Sequence, residues 1–215
     1  MNDDDQCPVS GTNYPSDCAV TQGLRENAAA RQSGGERSYA WRAALPKASK
    51  IKLLLLDVDG VLTDGSLYFT PEGTEMKAFS SKDGLGLRLV QKAGVEIGLI
   101  TARTSEAVRC RAENLGLTHV YQGESNKIAV YEKLLTELSL TPEEVAFVGD
   151  DWLDLPLLIR VGFAATVADA VPEVLAVVHY VAKNPGGRGA VREICDLIVE
   201  AKGKREELLA GYLKK

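Results

Sequence analysis

Two aspartates one residue apart, Asp57 and Asp59, close a run of leucines in Leu53-Leu54-Leu55-Leu56-Asp57-Val58-Asp59-Gly60. Such a pair suits nucleophilic and acid–base chemistry, because one carboxylate can face a substrate while its neighbour gives or takes a proton. A second acidic cluster, Asp150-Asp151-Trp152-Leu153-Asp154, follows the apolar run Val145-Ala146-Phe147-Val148-Gly149. Two unit charges about 4 Å apart repel by roughly 4 kcal/mol at an effective dielectric of about 20, so carboxylates converging on one point need a counter-ion. Thr101 ends Val95-Glu96-Ile97-Gly98-Leu99-Ile100, where a hydroxyl just ahead of a helix can donate to a phosphoryl oxygen. An ordinary helix cap is the bland alternative for it. Lys127, in Gln122-Gly123-Glu124-Ser125-Asn126-Lys127, falls in the first turn of a predicted helix. The helix dipole gives a cation no reason to sit there. A solvated surface lysine is the ordinary alternative.

All four stations depend on where strands end. Apolar runs predict strands at 51–57, 95–101, 118–121, 145–149, 162–167 and 179–182. Helical patterns fall between them near 84–93, 104–115, 126–138, 152–160 and 171–176, with a longer helix over 188–210. That alternation is the signature of βαβ units and predicts an α/β fold, a Rossmann-like doubly wound parallel sheet flanked by helices. Ligands of such sheets bind beyond the carboxyl ends of the strands, where both acidic clusters must then lie. Residues 66–70 and 74–79, joined by Pro71-Glu72-Gly73, read as a β-hairpin that can overhang the site as a flap. The gap before the next helix is too short for a folded lid, so no cap domain is expected. Residues 1–47 read as a disordered or loosely attached extension, with 39–47 forming a short helix that leads into a domain over 48–215.

The chain of 215 residues is 45% apolar and 26% charged with a net charge of −5, which argues against nucleic acid or an anionic membrane as partner. No apolar run is long enough to span a bilayer, and the acidic N-terminus lacks the features of a secretion signal. A cytoplasmic protein is expected. Cys7, Cys18, Cys110 and Cys195 show no paired spacing and histidines are only two, so a zinc site is not expected. Cys7 and Cys18 could pair under oxidation, but reduced thiols are the simpler expectation.

The segment from Asp57 to Gly65 resembles the first motif of the haloacid dehalogenase-like phosphatases, Asp-x-Asp-Gly-x-Leu-Thr-Asp-Gly. Thr101, Lys127 and Gly149-Asp150-Asp151-x-x-Asp154 resemble the second, third and fourth motifs, in the required order. The resemblance covers residues 50 to about 202. It implies a phosphomonoester hydrolase in which Asp57 is the nucleophile, Asp59 the acid and then the base, and Thr101 and Lys127 hold the phosphoryl oxygens. Oxygen-only ligands select a hard cation, and a site shared with phosphate favours Mg²⁺. The ligands implied are Asp57 and Asp150 through side chains and Asp59 through its backbone carbonyl, with Asp151 and Asp154 orienting water or Lys127.

Longer strings narrow the likeness to the uncapped 3-deoxy-D-manno-octulosonate 8-phosphate phosphatases, which serve lipopolysaccharide precursor synthesis. They are Lys77-Ala78-Phe79, Asp83-Gly84-Leu85-Gly86, Tyr121-Gln122-Gly123, Asn126-Lys127 and Gly186-Gly187-Arg188-Gly189-Ala190-Val191-Arg192-Glu193. Members of that family are homotetramers whose neighbouring subunits supply the missing lid. The implied contacts to a small phosphorylated sugar acid are Asp59, Ser80, Ser81, Lys82, Asp83, Gly84, Arg88, Arg103, Arg111, Lys127 and Arg188. Lys82 and Ala102 stand where members often carry Arg and Gly. Arg103 and Arg111, eight residues apart, are expected on nearly one face of one helix, and guanidinium forks suit carboxylates and phosphates. The Gly186–Gly189 segment is expected to reach a neighbouring subunit's site. The alternatives are the same chemistry on a nine-carbon sugar acid phosphate of the sialic acid type, or a non-catalytic oligomerisation module.

Overall fold

The structure is a computed structural model that describes Gln22 and residues 37–213. Among these, a six-stranded parallel sheet carries the architecture. Its strands are β1 (Leu53–Leu56), β4 (Glu96–Thr101), β5 (His119–Gln122), β6 (Val145–Val148), β7 (Phe163–Thr166) and β8 (Tyr180–Val181), in spatial order β5-β4-β1-β6-β7-β8. The leucine run of β1 is wholly buried because it is central, with Leu55 opposite Gly98 of β4 on one side and Phe147 of β6 on the other. Every residue of β6 and β7 is buried too, which is why these strands read as continuous apolar runs without alternation.

The order fixes where a ligand can bind. From β1 the chain goes to β4 and β5 on one side, whereas from β6 it goes to β7 and β8 on the other. The crevice of a doubly wound sheet opens where neighbouring connections diverge, here between the carboxyl ends of β1 and β6. Asp57 and Asp150 stand one and two residues beyond those ends. The Asp57 amide still donates to the Val148 carbonyl at 2.9 Å, so the ladder holds this residue at the crevice.

Helices cover both faces: α1 (Tyr39–Ala48), α2 (Ser81–Lys92), α3 (Glu106–Leu115), α4 (Lys127–Glu137), α5 (Leu155–Leu158), α6 (Pro172–Leu175), α7 (Ala190–Ala201) and α8 (Arg205–Leu213). α7 buries Ala190, Val191, Ile194, Cys195, Leu197, Ile198 and Val199, an apolar stripe of helical period. It packs closely on α2 because Gly86 has no side chain. A Cβ there would sit 3.0–3.1 Å from Arg192 and Cys195.

Three boundaries differ from the sequence reading. The compact unit begins at Tyr39 and not at residue 48. α1 is part of it: Trp41, Ala44 and Ala48 are buried, and the Trp41 indole donates to Glu200 of α7 at 3.0 Å. Apart from Gln22, residues 1–36 of the proposed extension, including Cys7 and Cys18, lie outside the described residues. The helix expected over 188–210 is two helices, because Gly203 takes φ +66 and turns the chain. The helix expected over 152–160 is a 3₁₀ turn, Trp152–Asp154, followed by α5. The hairpin is present, but its strands β2 (Tyr68–Phe69) and β3 (Glu75–Met76) are two residues each. Among the described residues no helix is long and apolar enough to cross a membrane.

Candidate active site

The turn after β1 sets the two aspartates. The Val58 carbonyl accepts from the amides of Val61, Leu62 and Thr63 at 2.9–3.3 Å, and Gly60 takes φ +85. A side chain at position 60 would be strained, and its Cβ would fall 2.0 Å from Asp150 Oδ2. Glycine is therefore what lets the first acidic turn lie directly against the second.

Asp57, Asp150 and Asp154 bring carboxylate oxygens within 4.8 Å of one another. Lys127 is the cation among them, 3.0 Å from Asp57 and 2.6 Å from Asp154 with only 3% of its side chain exposed. The helix-start position is explained: Asn126 caps α4, and Lys127 turns inward to Asp57 and the buried Asp154. Burial alone would lower its pKa, but Asp57 and then Asp154 more than offset this and hold the ammonium above its ordinary range. Asp154 is fully buried and both its oxygens are engaged. Oδ1 meets Lys127, while Oδ2 accepts the amides of Asp150 at 2.9 Å and Asp151 at 3.3 Å. It thereby ties Lys127 to the backbone of the second acidic turn. Asp151 accepts from the Trp152 amide at 2.6 Å and caps the following turn.

Three carboxylates around one ammonium leave an excess of negative charge. Burial, then Asp154, push the Asp57 carboxyl up to about 6. Burial, then Asp154 and Asp57, push Asp150 up to about 8. The Asp150 Oδ1 atom is buried and has no hydrogen-bond partner. An orphaned carboxylate oxygen beside a repelling carboxylate is what an oxygen-liganded divalent cation fits. One prediction follows from the raised values. In chelator the folded protein keeps protons that the unfolded chain has released above the ordinary value of 3.8, so stability should fall as pH rises from there towards about 8. Mg²⁺ competes with those protons, so it should raise the melting temperature much more at pH 8 than at pH 5. Equal shifts at the two pH values in thermal melts would remove the metal assignment.

Thr101 ends β4, buried at 2% exposure. The cap of α3 is Ser105, so helix capping does not account for Thr101. Its oxygen accepts the Arg103 amide at 3.3 Å, which leaves its own proton free to donate. Arg103 lies in the loop ahead of α3 and not on it, so the expected shared helix face with Arg111 does not exist. The Arg103 guanidinium bonds Glu75 at 2.8 Å and stands 3.9 Å from Asp59 Oδ2. Asp59 also pairs with the Lys77 ammonium. Glu75 and Lys77 are hairpin residues at this site that the residue-by-residue reading did not assign. A lysine in a short polar strand reads as solvated, and only the fold shows it turned under the flap.

The remaining sugar-acid residues divide. Ser80 caps α2 by accepting the Asp83 amide at 3.3 Å, and Ser81 and Lys82 are exposed at its first turn. Asp83 points elsewhere: it is buried and accepts the amides of Gly189 at 3.3 Å and Arg192 at 2.7 Å, anchoring the start of α7. Gly84 makes room for Arg111, whose guanidinium bonds the Ser80 carbonyl at 3.0 Å and lies over the Phe79 ring. Arg88 bonds the Asn114 carbonyl at 2.7 Å. Asp83, Arg88 and Arg111 thus tie α2 to α7 and α3 within the chain.

Within the chain the Gly186–Gly189 segment packs against the first acidic turn. The Gly187 amide donates to the Val61 carbonyl at 3.0 Å and Arg188 pairs with Asp64 at 3.1 Å. A Cβ on Gly186 would lie 1.8 Å from the Gly60 carbonyl oxygen. The glycines permit close approach to the chain's own first acidic turn, which they buttress.

Comparison with known proteins places this geometry. A model of the haloacid dehalogenase-like hydrolases matches residues 100–194. The 3-deoxy-D-manno-octulosonate 8-phosphate phosphatase of Escherichia coli K12 is 47% identical over 163 residues, 76% of this chain and 87% of the relative. A crystal structure of the Yersinia pestis phosphatase of that name superposes with a TM-score of 0.75 at 45% identity, covering 76% of this chain and 89% of that one. A Moraxella catarrhalis 3-deoxy-D-manno-octulosonate 8-phosphate phosphatase solved with a magnesium ion, a phosphate ion and a KDO molecule gives a TM-score of 0.77 at 38% identity, over 79% of this chain and 97% of that one.

Proposed function

The chain belongs to the 3-deoxy-D-manno-octulosonate 8-phosphate phosphatases of the haloacid dehalogenase-like hydrolases, and we propose that it hydrolyses that ester to the free sugar acid and phosphate. The observation that carries this is the Asp57 carboxylate held by Lys127 at the β1–β6 crevice, with Asp59 two residues beyond it and Asp150 beside it. Asp57 attacks phosphorus in line. Asp59 protonates the departing sugar oxygen, then takes a proton from the water that hydrolyses the aspartyl-phosphate. Lys127 and Thr101 hold the equatorial oxygens, where most phosphoryl-transfer catalysis resides. Mg²⁺, held by the Asp57 and Asp150 side chains and the Asp59 carbonyl, neutralises charge on the phosphoryl group. Arg103, on the rim beside Asp59, receives the sugar acid's carboxylate.

Phosphate release from a panel tests the reading. The eight-carbon substrate should be preferred to nine-carbon sugar acid phosphates in kcat/KM. Preference for a nine-carbon ester would move the assignment to that substrate, and no release from any ester would remove it.

The assembly is a homotetramer on this reading, supported by the exposed Leu67, Tyr68, Phe69 and Met76 of the hairpin, an apolar surface suited to a second copy. The product would enter lipopolysaccharide precursor synthesis in the cytoplasm.

A further inference from the structure

Asp59 must serve twice, as an acid and then as a base, and a carboxylate free to rotate would present its proton in the wrong direction for much of the time. Its surroundings divide its two oxygens. Oδ1 is bonded by the Lys77 ammonium, whose side chain is only 1% exposed. Oδ2 has the Arg103 guanidinium at 3.9 Å, beyond hydrogen-bond reach. Glu75 closes the arrangement, 3.2 Å from Lys77 and 2.8 Å from Arg103. Two residues of the hairpin, one of the loop after β4 and one of the turn after β1 thus form a ring of alternating charge.

A buried lysine needs partners, since desolvating an unpaired ammonium is costly. Glu75 alone could supply one. A second carboxylate is present because the hairpin brings Lys77 over the turn that carries Asp59. Resting on the phosphatase reading above, we propose that Lys77 is the positioning residue of the proton transfer. It anchors Asp59 Oδ1, so that Oδ2 is the oxygen that gives and takes the proton. The hairpin is then a part of the acid–base apparatus as well as a cover.

The consequence is selective. An alkoxide leaving group needs Asp59's proton, whereas a nitrophenolate leaves without one. Single-turnover ester cleavage with enzyme in excess isolates the first half-reaction. In Lys77→Met, release of the sugar acid from its 8-phosphate should slow by about 100-fold, while nitrophenolate release from 4-nitrophenyl phosphate stays within about three-fold of wild type. Steady-state turnover of the aryl ester should fall, because hydrolysis of the aspartyl-phosphate also uses Asp59. Lys77→Arg, which keeps the cation, should recover most of the sugar-ester rate. If Lys77→Met melts below the assay temperature, the double variant Lys77→Met with Glu75→Gln removes the carboxylate left unpaired and is read in the same way. Equal loss on both esters, or no loss on either, would overturn the role of Lys77 and leave the phosphatase reading standing. Wild-type protein that cleaves neither ester with Mg²⁺ present would overturn that reading and the role of Lys77 with it.

Discussion

Asp57→Asn is expected to remove turnover, by about 10⁴-fold or more in kcat, with the fold intact. The amide has the carboxylate's size but cannot form the acyl phosphate, so no slower version of the same route remains. The same change should also affect stability in a way that a merely disruptive mutation would not. Asp57 contributes one of the three carboxylates that crowd together at the crevice, and Lys127 keeps Asp154 as a partner when Asp57 is neutral. In chelator at pH 8 the variant should therefore melt at or above the wild-type temperature. Its gain from added Mg²⁺ should be smaller than wild type's, since one ligand charge is lost. Phosphate release, with melts in EDTA and in Mg²⁺, checks both halves. Wild-type turnover would remove Asp57 as nucleophile, and a marked drop in melting temperature in EDTA would mean that its charge stabilises the fold.

That opposition between function and stability runs through the whole crevice. The sheet forces the ends of β1 and β6 together, Gly60 lets the two acidic turns touch, and Gly186-Gly187 press the first turn from behind. None of these features spreads the negative charge; each concentrates it. A phosphoryl group cannot approach such a place without a cation, and the protein itself supplies Lys127.

How far the residues announced this arrangement depends on what each signal encoded. Buried parallel strands declare themselves by unbroken apolar runs, so β1, β6 and the sheet around them were legible, and with them the acids at their ends. Lys127 was legible because a cation at a helix start contradicts the local electrostatics. Lys77 was not assigned, since a lysine just past a two-residue strand contradicts nothing until the hairpin folds over Asp59. Asp83, Arg88, Arg111 and the glycine segment also make contacts within the chain that the sequence did not announce. Their residue types suit anion binding, but equally suit capping α7, bracing α2 against α3 and permitting backbone contact. Only packing between distant segments separates these uses. Trp41 shows the same limit at the boundary, where the decisive partner is Glu200, 159 residues away in the chain.

Lys127→Met should be nearly as damaging to catalysis as loss of the nucleophile, and opposite in its effect on stability. Methionine fills the volume of the lysine stem but leaves Asp57 and Asp154 facing each other without the ammonium that lay 3.0 Å and 2.6 Å from them. Removing one partner of a buried ion pair costs about 3–5 kcal/mol, because the other charge stays desolvated and unpaired. The deficit should depend on pH in a defined direction. Asp57 and Asp150 already bind protons more tightly in the fold than in the unfolded chain, and loss of the nearby ammonium raises those affinities further. Protonation relieves the repulsion, so the variant should approach wild-type stability near pH 5 and fall furthest behind at pH 8. Mg²⁺ should restore part of the loss at pH 8, since it supplies charge to the same oxygens. Activity should not return with it, because the phosphoryl oxygen that Lys127 would hold has no other cation from α4 to meet it. Denaturant melts at the two pH values, with and without Mg²⁺, read the stability effect, and phosphate release reads the catalytic one. A deficit independent of pH would show that packing, and not charge, is what Lys127 contributes to the fold.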